Sequence, residues 1–428
     1  MKKIKELLLP IYIILNIIYI TTASYFYRLG TLSYKDFSKT YIILLILNIL
    51  VLITLFIIRK IKNKKLNFNI LDIFLLFILL FSGISVVFAI NRNVAIFGMP
   101  GRYEGILQIL YYFSLYFLST YVNEKHKKKI IYTIILCGIA NLIYAVFQIL
   151  KIGNTIRIYR NGKIWATGLT TNPGFFATYM LLCMSYVLGL FIDENNFIYK
   201  LIYGSLIFIF MIGLLISNAM STVVGLIIVL IYILIYIIKN KKYKEIISII
   251  LILTAATVFI YKANLTTLIE DIDQTTNETK EIVKGNLDDG YGTHRLFIWK
   301  NTLKIVPKNI INGVGIDNFY YAFGDKPIAR GIWFFDKAHN EYLQILITEG
   351  IFAIISYLLL YGWIVIKGIK NSYKNKEIHL LLPVIGYLIQ AFFNISVIEV
   401  APFFYISLGL LVDRGISNEK SKRNNTST

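Results

Sequence analysis

Long apolar runs, separated alternately by short lysine-rich connections and by stretches mixing glycine, arginine and aromatic residues, set the plan of this chain. A helix rises about 1.5 Å per residue, so roughly twenty apolar residues cross the hydrocarbon of a bilayer. Such runs fall near 7–24, 41–58, 70–90, 105–121, 130–150, 174–192, 199–217, 222–238, 245–262, 341–366, 378–398 and 401–413, the last being short. The pattern predicts an all-α polytopic membrane protein of about twelve transmembrane helices, with one large extracytoplasmic loop between the ninth and tenth spans. The predicted division is 1–262 for helices one to nine, 263–340 for the loop, 341–413 for helices ten to twelve and 414–428 for a cytoplasmic tail. The first run follows MKKIKE but lacks a small-x-small cleavage site, so it is expected to stay as a helix rather than act as a signal peptide. No solenoid repeat or coiled-coil heptad interrupts the scheme.

Composition agrees with the pattern. The 428 residues are 57% hydrophobic and only 16% charged, with mean hydropathy +0.66, too apolar for a soluble domain of this size. A net charge of +20 raises the question of nucleic acid, but the lysines cluster in short connections and not on one folded face. MKKIKE, RKIKNKK, NEKHKKK, KNKKYKE, KGIKNSYKNKE and the tail all fall on one side, which the positive-inside bias makes the cytoplasm, with both termini there. Loops 91–104, 151–173 and 263–340 then face outward, and their arginines run against the bias.

The two cysteines, Cys137 and Cys183, lie inside apolar runs, where a thiol acts as a small hydrophobe. No two of the four histidines stand at helical ligand spacing, and no metal site or other cofactor is expected. Asp271 and Asp273 look like a metal-binding pair, yet they sit in an acidic stretch without nearby histidines, as a solvated loop would. Polar TTN before the sixth span and SNAMS at 217–221 are read as helix-end chemistry.

Chemistry is therefore sought in the few polar groups of the outward loops. Arg295, in HRLFIWK, carries a planar fork of donors that suits a pyrophosphate, or pairs with an acid of its own loop. His339, ahead of a helix starting near Asn340 or Glu341, is placed to take a proton from a sugar hydroxyl near pH 7, or to cap and pack. Asn340, Glu341 and Glu349 favour a polar cluster around it. Arg102, with Glu104 two residues on, faces a cleft or forms a salt bridge or snorkelling anchor. Arg157 and Arg160 are candidates for an anionic headgroup, or are solvated loop charges.

GRYEG near the fourth span, GLTTNPGFFATYM at the sixth, HRLFIW and GVGIDNF in the long loop, and AHNEYLQILITEGI at the next helix together resemble the O-antigen ligase and polymerase superfamily over nearly the whole chain. HN-x-YL ending in EG after a large loop is the most specific part. The resemblance implies a metal-independent glycosyltransferase of the bacterial cytoplasmic (inner) membrane, and a single displacement with His339 as base predicts inversion at the transferred sugar. It implies a glycan donor on undecaprenyl diphosphate, and as acceptor lipid A core, another lipid-linked glycan or protein. Carried over, the family's loop arginine falls on Arg295, its histidine base on His339, and its earlier arginine-glycine motif on Arg102 and Gly105. Met220 stands where many members have a further phosphate-facing arginine, and loop 151–173 is a candidate source of a replacement charge. Ligase and polymerase share a donor and stay unseparated. The alternative class is a lipid-linked glycan transporter or flippase, for which charged or broken sites near the midplane would be expected.

Overall fold

The computed structural model describes residues 2–61, 70–160, 162–286, 288–324, 326–328, 331–333 and 335–412. Before the long connection it runs α1 (Lys2–Arg28), α2 (Tyr34–Ile61), α3 (Ile70–Val87), the short α4 (Arg92–Phe97), α5 (Ile106–Thr120) and α6 (Glu124–Ile149). A hairpin of β1 (Ile158–Arg160) and β2 (Lys163–Trp165) leads into α7 (Pro173–Asp193), α8 (Phe197–Ser217), α9 (Met220–Lys239) and α10 (Tyr243–Lys262). The connection contains α11 (Leu268–Val283), α12 (Arg295–Asn309), α13 (Phe319–Phe323) and a second hairpin, β3 (Lys326–Ile328) with β4 (Gly331–Trp333). Last come α14 (Glu341–Glu349), α15 (Ile351–Asn375), α16 (Ile378–Ala391) and α17 (Ala401–Leu411).

Among the described residues nine helices, α1 to α3, α6 to α10 and α15, are long and apolar enough to cross a membrane. Three further predicted spans form shorter apolar helices, α5, α16 and α17, of 15, 14 and 11 residues. Their residues are largely buried in protein, and backbone that lipid does not touch need not be helical across the whole bilayer. The span predicted near 341–366 is in fact two helices. Gly350 separates them with φ +90°, and a Cβ there would lie 2.1 Å from the Ile311 carbonyl oxygen, so the sequence can turn only at glycine. The predicted loop 263–340 is largely structured: helices and a hairpin occupy much of it. Asp271 lies in α11 and accepts from Thr267 at 2.7 Å.

At the centre stands α7, whose membrane window is wholly buried. It packs on α6, α8, α9 and α16. By contrast α2 and α10 turn large residues such as Ile46, Leu50, Ile250 and Leu251 outward, as lipid-facing helices do. Asn172 caps α7 by accepting from Gly174 N at 2.8 Å, and both cysteines are buried and free. Near the lysine-rich end, ion pairs Lys242–Asp193 at 2.9 Å and Lys200–Glu245 at 2.6 Å fasten helix ends together.

Gly350→Ala combines a strained φ with a backbone clash and is expected to destabilise the protein by about 1–3 kcal/mol. Gly362→Ala, inside α15 with no atom near its added Cβ, is expected to be neutral or to stabilise by up to about 1 kcal/mol. Thermal unfolding of the two variants in detergent checks the pair.

Candidate active site

The site is assembled by docking the connection onto the end of the bundle away from the lysine-rich loops. Phe297, Ile298 and Val306 of α12, Phe319 and Phe323 of α13, and Leu343 and Ile347 of α14 bury one another in a small separate core with Val314, Phe335 and Ala338. The GVG motif runs between α14 and α3: Val314 N donates to Ile347 O at 2.9 Å, Gly315 N to Thr348 O at 3.0 Å, and Ile90 N to Val314 O at 3.1 Å. Gly315 has φ +104°, and a Cβ there would meet the Ala89 Cβ at 2.4 Å. Asn318 seals the junction, accepting from Asn91 N at 2.7 Å and donating to Asn91 O at 3.1 Å.

Two residues that the sequence did not single out hold the motifs together. Asp317, with φ 56°, accepts from Met99 N at 2.6 Å and Glu104 N at 3.2 Å, and its other oxygen lies 2.6 Å from Lys337 Nζ. Both side chains are buried. Their one sequence signal was a lone acid in the GVGIDNF motif and a lysine on the outward side, against the positive-inside bias.

Around this pair lie the predicted groups. Arg102 is joined to Asp336 through Nε, its guanidinium carbon 6.0 Å from the centre of the Phe175 ring. Burial alone would raise the Asp336 carboxyl, but Arg102, Lys337 and His339 outweigh it and hold the group below the usual carboxylate range. His339 follows directly, in a left-handed conformation at φ 49°. Its neighbours fix the backbone: Ala338 N donates to Gln344 Oε1 at 2.8 Å, Trp299 Nε1 to Ala338 O at 3.0 Å, and Leu343 N to the capping Asn340 Oδ1 at 3.0 Å. Burial and the positive charge of Arg295, opposed by Asp336 and reinforced by Arg102 and Lys337, bring the imidazole down to about 4. It is thus neutral at pH 7, with both electrostatics and solvation resisting a second proton.

Arg295 opens α12. One terminal nitrogen donates to Thr293 Oγ1 at 3.2 Å, Nε is buried without a partner, and no carboxylate pairs with it among the described residues. An acid of its own loop, one of the two roles the sequence left open, is therefore not its counter-ion among the described residues. A guanidinium already stripped of much of its water, beside a neutral imidazole, is an arrangement completed by an anion.

Other predicted residues lie differently. Glu104 turns inward: its Oε1 accepts from Tyr112 OH at 2.6 Å, and burial pushes the carboxyl up to about 7. Asn340 is committed through Oδ1 to capping α14. Arg157 donates to Gly153 O at 2.9 Å in its own loop and, among the described residues, shares no hydrogen bond or ion pair with the cluster. The side chain of Arg160 lies outside the described residues. Lys163 donates to Thr266 O at 2.9 Å, tying its loop to the start of the long connection. Met220 is the first residue of α9 and partly buried.

A further arginine escaped the sequence search. Arg28, at the end of α1, is buried and bonds Thr167 Oγ1 and, at 3.4 Å, Gly168 O. Glu399 accepts from Thr171 N and Oγ1, each at 3.2 Å, and feels both Arg28 and Arg102, although burial pushes it up to about 7. Arg28 also ran against the charge bias, in YFYRLG, so the criterion that picked out Arg102 would have found it.

Residues 205–358 match the O-antigen ligase family. Over that stretch the chain is similar to O-antigen ligases. The match takes in Arg295, Asp317, Lys337 and His339, whereas Arg28, Arg102, Glu104 and Glu399 reach the same region from outside it. No curated protein matches the chain. The match supports the ligase and polymerase superfamily and implies a glycosyltransferase-like enzyme, lipid-linked glycan substrates and a membrane environment. Among the described residues no group of three His, Cys, Asp or Glu side chains is gathered as metal ligands.

His339 lies below its ordinary value of 6.5, so the folded state binds fewer protons than the unfolded chain as pH falls from 6.5 toward 4. The stability this group supports is complete above 6.5 and is lost through that window. His339→Asn, which does not titrate there, is expected to show a shallower acid loss than wild type in unfolding measured in detergent across pH.

Proposed function

We propose that this protein transfers or polymerises glycan from undecaprenyl diphosphate onto an acceptor hydroxyl at the outer face of the bacterial cytoplasmic membrane, with both termini in the cytoplasm. The observation that carries the reading is Arg295: a partly desolvated cation with no carboxylate partner among the described residues, close enough to His339 to depress its basicity. Arg295, with Arg102 and Lys337 behind it, would stabilise the charge that develops on the diphosphate as the anomeric carbon–oxygen bond breaks. His339 would remove the acceptor proton as the new glycosidic bond forms on the opposite face, inverting the anomeric centre in one displacement. The donor's own negative charge offsets the three cations around His339, so its binding raises the imidazole from about 4 toward the useful range. Charge stabilisation then rests on guanidinium and ammonium groups, without a metal.

His339→Ala is expected to reduce consumption of lipid-linked glycan by about 10²–10⁴, and Arg295→Ala by about 10²–10³, in proteoliposomes with purified donor and acceptor. Near-normal turnover in both variants removes the assignment. Product length separates polymerase from ligase, and glycan appearing across the bilayer with its linkage unchanged supports the flippase alternative.

A further inference from the structure

Next to the His339 loop, inside the bundle, lies a cavity of about 60 Å³. Four carboxyls line it, from Glu104, Asp317, Glu341 and Glu349, with Lys337 and Gln344. Lys337 is spent on Asp317 at 2.6 Å, and among the described residues no second cation lines the space. That leaves three glutamates exposed by only 6%, 6% and 4%. Each accepts from one side-chain hydroxyl: Tyr112 to Glu104 at 2.6 Å, Tyr387 to Glu341 at 3.3 Å, and Ser82 to Glu349. Three ionised carboxylates cannot share so small and buried a volume without a compensating charge, and a proton is the smallest that fits.

Gln344 says independently what else the cavity takes. Its Oε1 accepts from Ala338 N, which fixes the orientation of the amide; its Nε2 has no partner, and the residue is only 9% exposed. A donor facing the space disfavours a metal cation and calls for an acceptor. The volume is too small for a sugar ring and ample for a few waters, each needing roughly 10–15 Å³.

We propose that this cavity is a hydrated proton store, in which waters bound by Gln344 link Glu104, Glu341 and Glu349 and receive the proton that His339 takes from the acceptor. The inference rests on the transfer reading above. In the transfer step the acceptor O–H bond breaks and its proton passes to the imidazole. The oxygen pair forms the bond to the anomeric carbon, and the leaving pair goes to the diphosphate. The imidazolium then returns to neutral by giving that proton, through water, to a glutamate carboxylate. Facing Glu341 are Glu104, Tyr112 on α5, Asp317 and Lys337 in the docked segments, Glu349 on α14, Tyr357 on α15, Tyr387 on α16 and Tyr405 on α17. Lys337 acts on His339 and on all three glutamates, so the two clusters are electrostatically joined.

Glu341→Gln keeps shape and hydrogen bonding but holds no exchangeable charge. With the full-length protein in proteoliposomes and purified lipid-linked glycan, it is expected to lower steady-state turnover about tenfold and to displace the pH–rate profile, with a much smaller effect on a single turnover. Glu341→Asp should restore part of the rate. His339→Ala loses the single turnover as well; if it does not, the transfer reading fails and not only this one. Equal loss in both phases for Glu341→Gln, or a wild-type pH profile, overturns the store. Infrared spectroscopy of wild type supplies a readout without variants: a protonated-carboxyl stretch near neutral pH is expected, diminished in Glu349→Gln, and its absence overturns the proposal.

Discussion

The carboxylate of Asp317 is the point on which the site depends. It accepts from two backbone amides of the loop after α4, more than two hundred positions earlier, and from the ammonium of Lys337, so one buried group ties that loop to two points of the docked connection. Removing one partner of a buried, hydrogen-bonded ion pair costs about 3–5 kcal/mol, because the other charge is left without compensation. Here loss of the acid would also strand two amide donors, each worth roughly 1–3 kcal/mol when unsatisfied. The left-handed backbone at Asp317 persists because these contacts over-determine it.

Docking around that group sorts charge into two neighbouring zones. On one side Arg295, Arg102 and Lys337 surround a neutral imidazole, with Asp336 answering only part of the positive charge. On the other, glutamates outnumber their single lysine inside the bundle. On the proposed reading a diphosphate answers the first zone, and protons the second. Lys337 stands between them, which makes the state of either zone felt in the other.

The apolar pattern located the helices well. The predicted runs correspond to helices, and the departures have identifiable causes: Gly350 divides one run, and burial lets α5, α16 and α17 stop short. In the site, Arg102, Arg295 and His339 stood out as polar groups on the side where the charge bias predicts few cations, and the structure brings them into one electrostatic neighbourhood. Arg157 attracted attention by the same rule but bonds within its own loop. Local sequence cannot distinguish a cation that reaches a neighbour from one that folds back on its own turn.

By itself the sequence determined the membrane class, the helical framework and the residue types available for phosphate and proton chemistry, because these follow from residue-by-residue transfer energies and from short motifs. Only the tertiary structure decided which charges are matched. Arg102 meets Asp336, Lys337 meets Asp317, Glu104 turns inward, and Arg295 is left without an acid among the described residues. Pairing depends on distances between segments more than two hundred positions apart, as for Arg102 and Asp336, and those distances are set by how the helices pack.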